Sequence, residues 1–331
     1  MLAHSAPRVV PVSFLYVLLI CMSTYLFLLH TQVPPTSPTS IRPYEPIEGN
    51  NFQDDVFTQK FRIKTPKPYN DTKLALLIES QPQPYLTPML LHFMSVVPPD
   101  WPFLFLGSNK SITHLTRSAP IRTYMKIGKL DMRLIPEDMP MTNQEEVSKV
   151  FTNPEFYKLF LPAEWLFVFQ LDSMICANSR VSLDDWVEKG YTWVGAPWNA
   201  KGGLGGGNGG FSLRRMSYLI RLLESQSRFD GEQLEDQWLF NHLARMPGAK
   251  LPPFEVSREF SVERIPFGTP LGYHTGGRGT VLPRSVWRLN RWRKRIFDYC
   301  PEMKMFMQMV VDGPQESDGC WKDDISGTGR Y

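Results

Sequence analysis

The sequence predicts an α/β fold: a mostly parallel central sheet flanked by helices, preceded by one transmembrane helix and a Pro-rich stem. Three observations predict it. First, residues 165–173 read Trp-Leu-Phe-Val-Phe-Gln-Leu-Asp-Ser, an apolar run that suits a strand buried on both faces and ends abruptly in Asp172. Second, strand-like runs alternate with helical patterns from Lys73 onward, as parallel sheets require. Third, residues 9–29 carry no charge over a length close to the roughly 20 residues that a helix needs to cross a bilayer.

The expected order of domains is a cytoplasmic tail (1–8), a signal anchor (9–29), a stem or linker (30–70), a catalytic α/β domain (71–311) and a flexible C-terminal tail (312–331). The short N-terminal flank, with Arg8, favours an orientation in which the bulk of the chain is translocated. A cleaved signal peptide is the alternative, but its apolar core is about 7–15 residues and needs a small-residue site. His30-Thr-Gln-Val-Pro34 offers no such site. Pro34, Pro35, Pro38, Pro43 and Pro46 lie among polar residues that cannot form a core and suit an extended stem. Asn70-Asp-Thr72 and Asn109-Lys-Ser111 are glycosylation sequons if the chain is lumenal. Cys21 lies in the anchor, and Cys300–Cys320 is the most economical pairing for one disulfide, leaving Cys176 as a packed thiol. A net charge of +3 is too mild to argue for a nucleic-acid partner.

Along the domain, Lys73–Glu79 reads as the first buried strand. Residues 85–96 are apolar at helical spacing and stop before Pro98-Pro99. Trp101–Leu106 and Leu130–Ile135 are the next strands, and Thr142-Asn-Gln-Glu145 matches a capping box that opens a helix towards Phe151. The central strand follows, then a short helix from Ser182. Next come Trp193-Val-Gly-Ala-Pro-Trp198, a glycine-rich stretch (202–210), a short strand at Phe211–Arg214 and a helix from about Met216. A further helix spans 234–246, with Leu234, Trp238, Leu239 and Leu243 on one face. Residues 284–295 hold six Arg and Lys with two Trp. They read as an amphipathic surface helix, or as a patch for pyrophosphate, an anionic acceptor or lipid headgroups.

Each candidate site residue has a structural alternative beside its functional one. Asp172 either caps a turn or carries a charge to the rim of the sheet, where open α/β sheets bind ligands. The glycines either form a linker or let a ligand approach the main chain. Glu235 and Asp236 either complement a helix dipole or supply a general base. His274, in the small-residue loop Gly268–Gly277, is either a surface residue or a ligand.

Phe169-Gln-Leu-Asp-Ser173, Val194-Gly-Ala-Pro-Trp198, Gly207-Asn-Gly-Gly-Phe-Ser-Leu-Arg214 and Glu235-Asp-Gln-Trp238 resemble DUF5672, a domain family found in fungi and other organisms. The same order of features resembles the GT-A class of glycosyltransferases, over roughly residues 73–280. An anchored type II topology with a Pro-rich stem also resembles Golgi glycosyltransferases. These resemblances imply a Golgi membrane protein with its catalytic domain in the lumen. They imply a nucleoside-diphosphate sugar as donor and a glycan, glycoprotein or glycolipid as acceptor. Asp172 matches the last acidic residue of the DxD motif, which binds Mn²⁺ (or Mg²⁺) on the donor's phosphates. Gln170 stands where that motif has its first Asp, and Ser173 adjoins it in the donor site. His274 matches the C-terminal His of the metal site. Gly207, Asn208, Gly209 and Gly210 match the loop along the donor sugar. Asp236 matches the catalytic base of the xED motif, beside Glu235, which orients hydroxyls.

This chemistry suits those residue types. Negative charge grows on a leaving diphosphate, and a divalent cation stabilises it. The acceptor hydroxyl must lose a proton to a positioned carboxylate on the face opposite the leaving group, which gives inversion. The alternative is a non-catalytic lumenal protein of the same fold that binds glycan or nucleotide sugar, a class that Gln170 keeps open. A secreted hydrolase is disfavoured, because the chain has neither GxSxG nor HExxH.

Overall fold

The computed structural model describes residues 69–199, 204–276, 284–287 and 290–305, all within one compact unit. The expected tail, anchor, C-terminal tail and all of the stem before Tyr69 lie outside the described residues. Among the described residues, no helix is long and apolar enough to cross a membrane.

The strands are β1 (Lys73–Glu79), β2 (Phe103–Gly107), β3 (Leu130–Leu134), β4 (Trp165–Phe169), β5 (Ser173–Ile175), β6 (Trp193–Val194), β7 (Phe211–Arg215), β8 (Ser261–Val262) and β9 (Gly272–His274). The larger sheet has the order β3-β2-β1-β4-β7-β6. Its first four strands pair in parallel, β7 runs antiparallel to β4, and β6 runs antiparallel to β7. The sheet is therefore mixed, with a parallel block of the expected strands. A smaller sheet has the order β5-β9-β8.

The helices are α1 (Leu86–Val96), α2 (Asn109–Thr116), α3 (Ala119–Lys126), α4 (Gln144–Phe151), α5 (Pro154–Lys158), α6 (Leu183–Glu188), α7 (Met216–Ser225), α8 (Glu235–Leu243), α9 (Phe254–Phe260), α10 (Arg284–Trp287) and α11 (Asn290–Tyr299). The expected capping box shifts by one residue. Asn143 is the N-cap and accepts from the Glu146 amide at 3.0 Å, while the Glu146 carboxylate reaches back to the Thr142 amide at 2.7 Å. Ser182 and Asp185 form a complete box at the start of α6.

β4 is buried on both faces, as its composition requires. Phe167 and Phe169 join the core under α1, where the Phe93 ring stacks on Phe169 with centroids 4.0 Å apart. Leu166 and Val168 join the opposite core, with residues of α4, α5, α7 and α8. The strand is shorter than its apolar run: it ends at Phe169, and the chain turns at Gln170-Leu171-Asp172 before β5 begins in the other sheet. The turn is closed by Ser173, whose hydroxyl donates to the Gln170 carbonyl at 2.6 Å and accepts from the Gln170 amide at 3.1 Å.

The expected Cys300–Cys320 pairing is not formed: Cys176 and Cys300 are bonded, with Cα atoms 5.1 Å apart. Proximity in sequence misled. Cys176 follows β5, and α11 returns Cys300 to that edge, held there also by Asn178 Nδ2 donating to the Tyr299 carbonyl at 2.8 Å. The expected helix over 284–295 is two helices, and Arg293 is buried rather than displayed, donating to the Trp287 carbonyl at 2.8 Å.

The order of the larger sheet reverses at β1, with β2 and β3 to one side and β4 to the other. The crevice beyond the carboxyl ends of β1 and β4 is therefore a topological switch point, where such sheets bind ligands.

Candidate active site

Gln170 and Asp172 leave β4 at that switch point. Gln170 is exposed, whereas the Asp172 side chain is 16% exposed. The smaller sheet brings His274 to them, since β5 pairs antiparallel with β9 and Ser173 sits opposite His274. The Thr275 amide and hydroxyl both donate to the Asp172 carbonyl, at 2.8 and 2.9 Å, and lock this pairing. His274 is thus a buried strand residue and not the loop residue expected. Its Nε2 lies 3.3 Å from Asp172 Oδ1 and 3.4 Å from Gln170 Oε1. On the other edge of the ring, Nδ1 lies 3.6 Å from Glu263 Oε1. Burial lowers the basicity of the imidazole, but the Asp172 and Glu263 carboxylates outweigh it and push its pKa up to about 10.

The glycine-rich stretch packs against these groups and is no linker from residue 205 onward. Gly205, Gly206, Gly207, Gly209 and Gly210 are buried. Gly206 takes a φ of +90° beside the Trp198 ring, which only glycine tolerates readily. A Cβ on Gly210 would meet the His274 imidazole and sit 2.5 Å from Gln170 Oε1. The Gln170 amide donates to the Gly210 carbonyl at 2.9 Å, and Asn208 Oδ1 accepts from the Gly210 amide at 2.6 Å. Trp193 Nε1 donates to the Gly207 carbonyl at 2.9 Å.

Glu235 and Asp236 stand in the first turn of α8, whose N-cap, Leu234, makes no side-chain bond. Asp236 Oδ2 accepts from the Gly209 amide at 3.1 Å and Oδ1 from the Gln237 amide at 2.7 Å. Burial raises the Asp236 pKa, with the Glu263 charge adding to it, against the opposing pull of those amides and of Arg214. Burial also raises that of Glu235, followed by the charge of Asp236. The Ser148 hydroxyl donates to Glu235 Oε2 at 3.2 Å.

Two residues of the site carried no signal in the sequence reading. Arg214, 1% exposed, donates to the Gly209 carbonyl at 3.0 Å and to the Tyr157 hydroxyl at 3.1 Å, with its guanidinium carbon 4.3 Å from the centre of the Trp193 ring. Alternation along β7 would have misplaced it: Arg214 shares a face with Ser212, opposite Phe211 and Leu213, and that polar face is buried as well. Glu263 follows β8 with no local pattern, and only the β8–β9 pairing reveals it.

Asp172 and His274 are the side chains that could hold a divalent cation. Carboxylate and amide oxygens with an imidazole nitrogen suit Mn²⁺. Cis ligands on a cation of this size sit about 3 Å apart, given metal–ligand bonds of about 2.1 Å. Asp172 and His274 match that spacing at 3.3 Å. Among the described residues no cluster of three or more His, Cys, Asp or Glu could hold a metal ion. Phosphate oxygens and water would have to complete the coordination, as is usual for Mg²⁺ at phosphates.

Comparison with solved structures finds distant likenesses. The glycosyltransferase GlyE of Streptococcus pneumoniae TIGR4 aligns at 15% identity with a TM-score of 0.41, over 75% of this chain and 66% of that one, just under two thirds. The bifunctional glycosyltransferase WbbM aligns at 9% identity with a TM-score of 0.41, over 73% of this chain and 52% of that one. Core-mannan synthase A of Aspergillus fumigatus, in a Mn/GDP form, aligns at 11% identity with a TM-score of 0.32, over 54% of this chain and 68% of that one. No curated protein matches the chain. Residues 129–274, which span every candidate site residue from Gln170 to His274, match the family described as "Protein of unknown function (DUF5672)", so the resemblance carried by the sequence motifs holds across that segment.

Proposed function

We propose that this chain is a metal-dependent glycosyltransferase of GT-A-like fold, moving a sugar from a nucleoside-diphosphate donor to a hydroxyl of a glycan, glycoprotein or glycolipid, with inversion. The observation that carries the proposal is the meeting of Asp172 and His274 at the switch point, with Asp236 bonded to the adjoining Gly209 amide.

Asp172 and His274 would hold Mn²⁺ or Mg²⁺, which when bound neutralises the charge that develops on the departing diphosphate. Gln170 flanks the donor, Ser173, buried and expected beside it, instead closes the turn that holds Gln170, and Gly207, Asn208, Gly209 and Gly210 line the sugar with main chain. Asp236 accepts the proton of the acceptor hydroxyl. As the new C–O bond forms at the anomeric carbon, the bond to the phosphate oxygen breaks, and its electron pair leaves with the diphosphate. Each carboxylate oxygen has two lone pairs, so the amide bonds from Gly209 and Gln237 leave Asp236 free to act. Glu235 orients hydroxyls beside it. The chain would work in the Golgi lumen behind the anchor at 9–29, and a disulfide between Cys176 and Cys300 suits an oxidising compartment.

Asp236→Asn tests the base. Transfer should fall about 10²–10⁴-fold while metal-dependent nucleotide binding persists. Transfer near the wild-type rate would remove Asp236 from that role. Gln170 in the first acidic position of the motif favours the second possibility, a non-catalytic binder of nucleotide sugar. Metal-dependent release of nucleoside diphosphate from a nucleotide sugar separates the two.

A further inference from the structure

We infer that Glu263 is a positioning residue that holds the His274 ring so that Nε2 faces the cation, which rests on the metal–diphosphate site proposed above. β8 runs parallel to β9 with Ser261 opposite Gly272 and Val262 opposite Tyr273. One step further along both strands brings Glu263 beside His274. The main chain of His274 is fixed by β5 and by Thr275, but those bonds leave the rotation of its ring free. A contact on each edge is what fixes a ring. Asp172 and Gln170 meet Nε2, and Glu263 meets Nδ1 at 3.6 Å.

That separation is an ion-pair distance, too long for a hydrogen bond. Accordingly, His274 Nδ1 and Glu263 Oε2 are buried without hydrogen-bond partners. The two side chains are 7% and 11% exposed, so water does not compensate them freely. An unsatisfied buried polar group costs about 1–3 kcal/mol. An approach of well under 1 Å would convert the contact into Nδ1–H donating to the carboxylate, so that Nε2, which faces Asp172 and Gln170, is the nitrogen that gives up its proton and turns its lone pair to a cation when one binds. Metal-ligating histidines commonly donate their second N–H to such a carboxylate. Glu263 cannot share an ion with Asp172 through this ring, because it stands at the opposite edge.

The test is Mn²⁺-dependent binding of UDP or GDP to the full chain, measured by calorimetry, since the diphosphate oxygens complete the coordination. Wild type, Glu263→Ala, His274→Ala and the double variant form a cycle. Glu263→Ala should weaken binding about 10–100-fold, the usual effect of losing such a partner. In the His274→Ala background the same change should alter binding by less than about twofold, since the residue acts through the ring. Where Glu263→Ala fails to fold, Glu263→Met, close in volume and unable to accept the Nδ1–H in the same way, takes its place in the cycle. Wild-type binding by the variant, or an equal loss without His274, overturns the role of Glu263 while Asp172→Ala still abolishes binding. Binding that is absent in wild type, or unchanged by Asp172→Ala, overturns the metal site and this inference with it.

Discussion

Glu235 and Asp236 are adjacent carboxylates, yet their surroundings give them different work. Asp236 is held by two amides and faces the glycine loop, whereas Glu235 meets Ser148 and the charge of Arg214. Because burial raises the folded-state pKa of Glu235, its stabilising contribution is complete below its unfolded pKa and is lost as pH rises through the folded value. Glu235→Gln should therefore gain stability relative to wild type between acidic and neutral pH. Urea midpoints of both proteins across that range check it, and a constant difference would contradict the raised value. At this scale Asp172, Asp236 and His274 were legible as residue types in a telling order. Glu263 was not, because Ser261-Val-Glu-Arg264 has no pattern of its own and acquires meaning only from β9.

The turn after β4 decides where the site lies. An unbroken strand over 165–173 would carry Asp172 within the sheet, but Ser173 closes a turn at Gln170 and hands the chain to the smaller sheet. Apolar composition could locate the strand but did not fix its end, since Leu171 resumes the apolar run after the single polar residue Gln170. Helices α2, α3, α5 and α9 were also not read from the sequence; at 5–8 residues each they offer little periodicity. The glycine loop was legible as a place of close approach, and the contacts of Gly210 show why. Gly210→Ala would force a methyl into the His274 ring and Gln170, at a cost of about 1–3 kcal/mol. Chemical denaturation should show that loss together with weakened Mn²⁺ binding, and an unchanged midpoint would mean that the loop yields.

At the scale of the whole described unit, the switch point arises from strand order, which the alternation of elements implied but could not specify. The bond between Cys176 and Cys300 closes a sequence separation of 124 residues and ties α11 to the strand that follows Asp172. Loops of that size make a crosslink worth about 2–5 kcal/mol. Cys300→Ser should lower stability by about that amount, and reduced wild type should fall to the same denaturation midpoint. Equal midpoints for oxidised wild type and the variant would mean that the bond contributes nothing. The smaller sheet, which this bond braces, is also the part of the fold least visible in the sequence, because its strands are only two or three residues long.

The central claim is a metal–diphosphate site at Asp172, and calorimetric binding of UDP and GDP to the full chain, with and without Mn²⁺, tests it most directly. Binding of one nucleotide that requires Mn²⁺ and disappears in Asp172→Ala is the expected result, and it would also name the base of the donor. Well-folded protein that binds neither nucleotide, or binds equally well without Mn²⁺ or without Asp172, would contradict it.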